Sequence, residues 1–285
     1  MPYDFAPEQQ KNIAAIVWLY RGQTDRFLQL VDSYIARALT DGAAALGPLA
    51  ACHQALGKLT GLVQPFVMAK RDPDPLAETW AELTATQAVL AQDIAEFGAE
   101  VASRAADWTG APRDNAGLNA ARNGLHPMAD RCRDMTKSID LAAKLAGRVV
   151  DIAIKDLAAR DDALWPNAEV TRARKALEGA RAEAVEALRA ARYFVKQADW
   201  LQDRFPDAAL RDVEGLVKRV ARADIAAHDQ SLTPGRYVGV APEEVDEDFD
   251  FEEALRSIHI DLKGLNEEAA DPAARITRNF EELGA

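Results

Sequence analysis

The sequence predicts an all-α protein, a bundle of long antiparallel helices followed by a short turn, an extended segment and a C-terminal coiled-coil-like helix. Glycine and proline are few, with 16 and 13 among 285 residues, and alanine, leucine, glutamate and arginine are abundant. These residues favour helix, whereas glycine and proline interrupt it. Apolar residues also recur at every third or fourth position over long stretches, which is the period of one helix face.

The N-terminal part of the chain predicts three helices. Residues 7–39 form two of them, because Arg21 and Gly22 interrupt an otherwise helical apolar stripe. Residues 49–70 are predicted as a separate third helix, which the paired aspartates and prolines of 72–75 bring to an end.

Three longer amphipathic stretches follow, at residues 76–108, 115–163 and 168–201. Pro127 is predicted to interrupt the second, because proline lacks the amide hydrogen that a helix interior uses. Short turns join the three stretches, so we expect them to pack antiparallel within a domain spanning residues 1–205. The stretch from about residue 76 to residue 201 is interpreted as a long helical insertion in that domain.

A turn-rich junction is predicted over residues 206–240. Residues 212–220 are typical of a turn with a short helix, and 222–229 of one more short helix. The segment Ser231-Leu-Thr-Pro-Gly-Arg-Tyr-Val-Gly-Val240 comes next. Pro234 fixes its own φ and Gly235 permits positive φ, which predicts a type II turn leading into an extended piece.

The tail, residues 241–285, predicts an acidic linker and a terminal helix. Eight of the eleven residues from Glu243 to Glu253 are acidic, as in a solvated linker. Apolar residues then alternate at spacings of four and three, which is a coiled-coil seam that needs a partner surface. The seam consists of Phe251, Leu255, Ile258, Leu262 and Leu265. Folding of this helix back onto its own body is the alternative to an intermolecular contact.

Charge is distributed unevenly along the chain. The tail contains 14 of the 46 acidic residues but only 4 of the 34 basic ones, which accounts for most of the net charge of −12. The rest of the chain is nearly neutral. A free-standing DNA-binding domain usually carries a basic patch, so we expect this chain alone to bind DNA weakly.

The motifs of an adenine methylase are missing from this sequence. It contains no Asn-Pro, no Pro-Pro and no Gly-x-Gly, although such an enzyme needs a glycine-rich turn for S-adenosylmethionine and an Asn-Pro-Pro-Tyr/Phe loop for the flipped base. Cys52, His53, His126 and Cys132 lack the spacing of a metal site. We therefore expect no catalytic, cofactor-binding or metal-binding residues in this chain.

Other features concern location and packing. Two cysteines cannot form a disulfide framework, so a reducing cytoplasm is expected. No apolar run approaches the roughly 18 residues of a membrane span, and no membrane association is expected. The five tryptophans are expected to pack in the helical core.

The Leu232–Val240 segment resembles a Leu-(Asn/Thr)-Pro-x-Arg-Tyr-Val element near the C-terminus of type I restriction-modification methyltransferase (modification) subunits, which are N6-adenine DNA methylases. Its motif residues here are Leu232, Thr233, Pro234, Gly235, Arg236 and Tyr237. Residues 12–22 are similar to the helix that follows the methylase core in that family. Residues 251–284 are similar to its terminal helix.

Residues 212–218 also resemble a segment of that family, Asp-Val-Pro-Gly-Leu-Cys-Lys. Glu214 replaces the proline and Val217 the cysteine. Together the similar segments cover about a fifth of the chain, and the long helices of 76–200 match no part of the family pattern.

The resemblance implies a non-catalytic C-terminal region that docks the specificity subunit, with S-adenosylmethionine bound only in the catalytic domain of the parent subunit. DNA would then be contacted through the complex, where Arg236 is a candidate for positioning a phosphate. The alternative is a stand-alone helical-bundle scaffold that self-associates through the seam of residues 251–265.

Overall fold

The computed structural model describes residues 5–70 and 74–241, together with Leu255, Ile258 and Leu262. Six α-helices lie in these residues. They are α1 (Pro7–Tyr20), α2 (Thr24–Ala69), α3 (Asp74–Gly110), α4 (Asn115–Lys155), α5 (Asn167–Arg204) and α6 (Arg222–Ala227). The described part of the chain contains no β-strand beyond one isolated bridge between Val213 and Val217. The all-α prediction is confirmed.

Helix α2 differs from its prediction, because the separate helix expected at 49–70 is part of one 46-residue helix. Gly42 and Gly47 do not interrupt it. A Cβ at Gly42 would lie 3.4 Å from both Met128 Sδ and Val101 Cγ2, so the glycine allows close packing there. Tertiary contacts of this kind outweigh the low helix propensity of glycine.

Helix α4 also differs from its prediction. Pro127 lies inside the helix and does not interrupt it, because the flanking side chains of Leu125 and Met128 are fully buried and hold the helix in place. The helix ends at Lys155 instead of continuing to 163. Ala158, at φ 47°, turns the chain into a short 3₁₀ helix at Ala159–Asp161.

The chain divides into two compact units. Unit 1 comprises residues 1–51, 91–136 and 182–245, and unit 2 comprises residues 52–90, 137–181 and 246–285. The division falls inside α2, α3, α4 and α5, so each of these helices contributes a segment to both cores.

The core of unit 1 is built from aromatic and aliphatic side chains of α2 to α5. Phe27 meets Phe205 edge-on with ring centroids 6.3 Å apart, and Tyr34 lies 5.9 Å from Phe194. Phe27 and Tyr34 lie on α2, Phe194 lies on α5, and Phe205 directly follows α5.

Unit 2 has a core of its own. Phe66 meets Trp165 edge-on at 5.2 Å, and both side chains are buried. At the surface of this unit α5 is joined to α4 by ion pairs, Arg174 with Asp151 and Arg181 with Asp140, each at 2.6 Å. Within the described residues, no helix is long and apolar enough to span a membrane.

Candidate functional site

The motif residues of the Leu232–Tyr237 segment lie in a compact turn at the surface of unit 1. Pro234–Arg236 form a 3₁₀ helix, in which the Arg236 amide donates to Thr233 O at 3.1 Å and the Tyr237 amide to Pro234 O at 2.9 Å. Proline suits the first position of such a turn because its φ is already helical. Thr233 is extended, as a residue before proline prefers.

The predicted type II turn and the extended piece after it are therefore wrong. Among the described glycines only Gly22, Gly215 and Gly239 have positive φ, whereas a type II turn would need it at Gly235. Tyr237 has αR backbone angles, and residues 238–241 form no strand. The predicted short helix within 212–220 is also wrong, because Val213 and Val217 form the isolated bridge there.

Two contacts of the Tyr237 side chain stabilise this turn. Its hydroxyl donates a hydrogen bond to Ser231 O, and its ring meets the His228 ring edge-on with centroids 5.4 Å apart. The tyrosine thereby joins the end of α6 to the 3₁₀ helix and stabilises the loop between them. Arg236 is exposed, and its guanidinium has no hydrogen-bond partner among residues 5–70 and 74–241.

The structure brings the 212–218 and 232–240 segments together. The Gly215 amide donates to Val238 O at 2.6 Å. Gly215 has φ 73°, and a Cβ on it would lie 2.3 Å from Ala241 N, so only glycine fits this approach. Gly239 lies against Glu214 on the other side of the contact.

This paired structure has little core of its own. Within the predicted junction, residues 206–240, Ala208 is the only buried residue. The other apolar side chains of the junction are half-buried or exposed, and Leu232 and Val240 are 77% and 85% exposed. The half-buried aliphatic ones are Leu210, Val213, Leu216, Val217, Val220, Ile225 and Val238. The junction is thus ordered by hydrogen bonds while its apolar side chains remain available for contact.

Three residues of the predicted seam fall within the described part of the chain. Leu255, Ile258 and Leu262 are helical, and their side chains are 49%, 52% and 52% exposed. Phe251 and Leu265 lie outside the described residues. The three described side chains are spaced by three and four residues, so they lie on one face of a helix.

The two thiols are unsuited to nucleophilic or metal chemistry. Both are buried and unpaired. Burial raises the pKa of Cys52 to about 11 and that of Cys132 to about 12, so both are protonated at neutral pH. In the portion of the chain that the structure describes, no cluster of histidine, cysteine and acidic side chains could hold a metal ion.

Four ionisable side chains of α4 and α5 in unit 1 form a structural network. His126 Nε2 lies 2.8 Å from Asp199 Oδ1, and Arg122 contacts both Asp199 and Asp203. Burial raises the pKa of Asp199, while His126 and Arg122 oppose that rise. These contacts join α4 to α5, which is a structural role for the four side chains.

The sequence did not reveal a buried polar network that joins α1 to its neighbours. Tyr34 donates to Asn12 Oδ1 at 3.0 Å, and Asn12 Nδ2 donates to Gln197 Oε1 at 2.8 Å. Tyr193 donates to the Glu8 carboxylate at 3.4 Å. The only signal in the sequence is a polar residue, Asn12, on the stripe that buries Ala15 and Leu19.

The tryptophans also differ from expectation, because only Trp165 of the five is buried. Three others lie beneath guanidinium groups at the surface of unit 1. The pairs, with distances to the ring centroid, are Arg26–Trp18 (4.5 Å), Arg113–Trp108 (3.5 Å) and Arg204–Trp200 (4.5 Å). Cation–π stacking therefore holds these rings at the surface, where the sequence analysis expected packing in the core.

Comparison with protein-family models, with curated proteins and with solved structures finds nothing that matches this chain. Function is therefore inferred from the residues and contacts described above.

Proposed function

We propose that this chain is the non-catalytic C-terminal assembly region of a type I restriction-modification adenine-N6 methyltransferase subunit, acting in the cytoplasm. In this proposal the long helices form an antiparallel bundle, which carries the junction and the terminal coiled-coil helix as docking elements for the specificity subunit. S-adenosylmethionine binds in the catalytic domain of the parent subunit, and this chain supports methylation by holding the complex together.

The observation that carries the proposal is the contact between residues 212–218 and residues 232–240. Both segments resemble the family, and both follow the helical body. They are 14 or more residues apart in sequence, yet Gly215 and Val238 are joined by a 2.6 Å hydrogen bond. A glycine is required at this contact because Ala241 leaves no room for a Cβ. The two segments therefore form one structural element, which supports reading them together as a single motif.

The exposure of apolar side chains supports a docking role. The junction contains nine aliphatic side chains larger than alanine that are half-buried or exposed. The described seam residues expose about half of each side chain. Burial of apolar surface is the main favourable contribution to most protein association. A coiled-coil partner would supply that burial.

The charge distribution favours an indirect contact with DNA. The tail is strongly acidic and the remainder of the chain nearly neutral, so the chain as a whole repels a phosphate backbone. Arg236 is the exposed cation of the motif. It could reach a phosphate only where a partner presents DNA to the junction.

Gel filtration with a type I specificity subunit from the same organism tests the proposal. We expect the two proteins to co-migrate, and we expect the triple variant Leu255→Ser, Ile258→Ser, Leu262→Ser to migrate alone because it loses the apolar seam. Val89→Ser with Leu164→Ser is a matched control, since these side chains are similarly exposed elsewhere. Separate migration of the wild-type proteins would count against the proposal.

A stand-alone scaffold that self-associates is the second candidate. The same exposed residues favour it, because Leu255, Ile258 and Leu262 could pair with a second copy of the seam. Light scattering on the chain alone separates the candidates. A stable homodimer that does not exchange for the specificity subunit supports the scaffold, and a monomer of 31.0 kDa supports the assembly region.

A further inference from the structure

Unit 1 contains a pocket of about 230 Å³ where the end of α3 and the start of α4 lie over α2. Three buried aliphatic side chains, Ile35, Leu39 and Leu125, line it. The indole of Trp108 and the side chain of Arg104 also line it. The pocket does not depend on the junction or the seam, so the inference drawn from it is independent of the proposed function.

Small residues of α4 leave the space open. Gly117, Ala121 and Gly124 all line the pocket. A Cβ at Gly117 would lie 2.2 Å from Pro112 O, so the turn before α4 requires glycine there. At Gly124 a Cβ would meet only Arg104 Nη1, at 3.6 Å, which is an ordinary contact. A larger residue would therefore fit at position 124 without a clash, and the absence of a side chain on Gly124 enlarges the pocket.

Arg113 holds Trp108 in position. Its guanidinium lies 3.5 Å from the centroid of the Trp108 ring and forms an ion pair with Asp32 at 2.8 Å. The same guanidinium donates to Trp108 O at 3.0 Å and to Ala111 O at 2.7 Å. With the orientation of the indole fixed by these contacts, the aromatic wall is formed before any ligand binds.

The guanidinium of Arg104 has more N–H donors than the surrounding residues supply acceptors. Its Nε–H is buried and has no partner among the described residues. Its Nη1 makes one long contact, 3.4 Å, to the exposed carboxylate of Asp107. An unpaired buried donor is unfavourable, and charge-assisted hydrogen bonds to a carboxylate are among the strongest that a guanidinium makes.

We propose that this pocket binds a small organic carboxylate with an apolar body. The carboxylate would accept hydrogen bonds from the Arg104 guanidinium, and the body would lie against Trp108 and the aliphatic side chains. An inorganic anion would leave the apolar lining unused, and a dianion would face the nearby Asp107. The volume is below the roughly 300 Å³ of pockets for drug-sized ligands, which limits the occupant to a molecule such as hexanoate or benzoate.

Titration of the full chain with hexanoate and benzoate, and with the amides of both, tests this proposal. Binding is followed by NMR through the indole N–H signal of Trp108, which the Trp108→Phe variant identifies. We expect saturable shifts at millimolar concentrations of either carboxylate. The amides should bind about tenfold more weakly, because they lose the charge-assisted hydrogen bond.

Variants locate the site. Arg104→Gln should abolish the preference for carboxylates, and Ala121→Leu should block carboxylates and amides alike by filling the space. Arg133→Gln, which removes a guanidinium elsewhere on α4, should bind like the wild type. The proposal is overturned if neither carboxylate gives a saturable shift or if amides bind equally well. It is also overturned if Ala121→Leu binds the carboxylates as the wild type does. This second variant keeps the test decisive if Arg104→Gln does not fold.

Discussion

The Tyr237 hydroxyl donates a hydrogen bond that stabilises the motif turn. We expect Tyr237→Phe to weaken the turn by about 1 kcal/mol, since the ring still packs on His228 while the bond to Ser231 O is lost. Amide hydrogen exchange at Arg236, Tyr237 and Val238 should become about fivefold faster. The exposed Tyr20 gives a matched control: Tyr20→Phe should leave these amides unchanged.

Gly215 is the residue at which the two junction segments approach most closely. We expect Gly215→Ala to separate them, because φ 73° strains alanine and its Cβ would lie 2.3 Å from Ala241 N. Limited proteolysis should then cleave within 212–241 faster than in the wild type. Gly179→Ala is the control, since a Cβ there meets nothing within 4 Å and α5 should be stabilised by about 0.5–1 kcal/mol. Unchanged proteolysis of Gly215→Ala would show that the contact is dispensable.

The buried thiols make stability depend on alkaline pH. In the unfolded chain cysteine loses its proton near a pKa of about 8.5, whereas burial raises the pKa of Cys52 to about 11 and of Cys132 to about 12. The raised pKa contributes stability that is fully present below the unfolded value. That contribution is lost as pH rises through the folded values.

Urea unfolding between pH 8 and pH 11 measures this dependence. We expect the free energy of unfolding to fall with pH, and to fall less steeply in the Cys52→Ala, Cys132→Ala variant. Equal slopes for the wild type and the variant would mean that other groups, such as the buried Tyr34, account for the whole dependence.

At the scale of elements, α1 is attached to α2 and α5 by the polar network of Asn12, Tyr34 and Gln197. Tyr34→Phe leaves Asn12 Oδ1 without that donor, which should cost about 1–3 kcal/mol of unfolding free energy. Combined with Asn12→Ala, the total cost should be smaller than the sum of the single costs, because both variants remove the same bond. Urea denaturation of the four proteins checks this; strictly additive costs would contradict it.

Helix positions could be predicted where apolar periodicity and clear end signals coincide. The predicted 76–108 and 168–201 correspond to α3 (Asp74–Gly110) and α5 (Asn167–Arg204). The prediction failed between residues 39 and 49, a stretch that contains Gly42, and at Pro127; glycine and proline both disfavour isolated helices. At both, buried neighbours from the same helix or from other helices compensate for the poor local propensity, and those contacts are invisible in the sequence.

The junction illustrates a different limit. The Pro234–Gly235 pair identified a turn correctly, but a type II turn and a 3₁₀ turn both accept proline at the same position. The amide of Gly215, which is 23 residues from Val238, bonds to the segment that follows. Local sequence therefore predicted that the chain turns here, and a nonlocal hydrogen bond helps to determine the path it then takes.

At the scale of the whole molecule, composition and charge predicted the helical class and the contrast between a nearly neutral body and an acidic tail. They could not predict the pocket beside Trp108, because it depends on an indole oriented by Arg113 and on space left by Gly124. They also could not predict which exposed apolar residues lack a partner, since exposure is a property of the folded chain.

The central claim is that this chain assembles with a specificity subunit through surfaces that its own fold leaves exposed. Light scattering on a purified equimolar mixture tests it most directly, because it gives the mass of whatever forms. We predict one species whose mass includes both this 31.0 kDa chain and the specificity subunit. Two separate species, with this chain present only as its own monomer or dimer, would contradict the account.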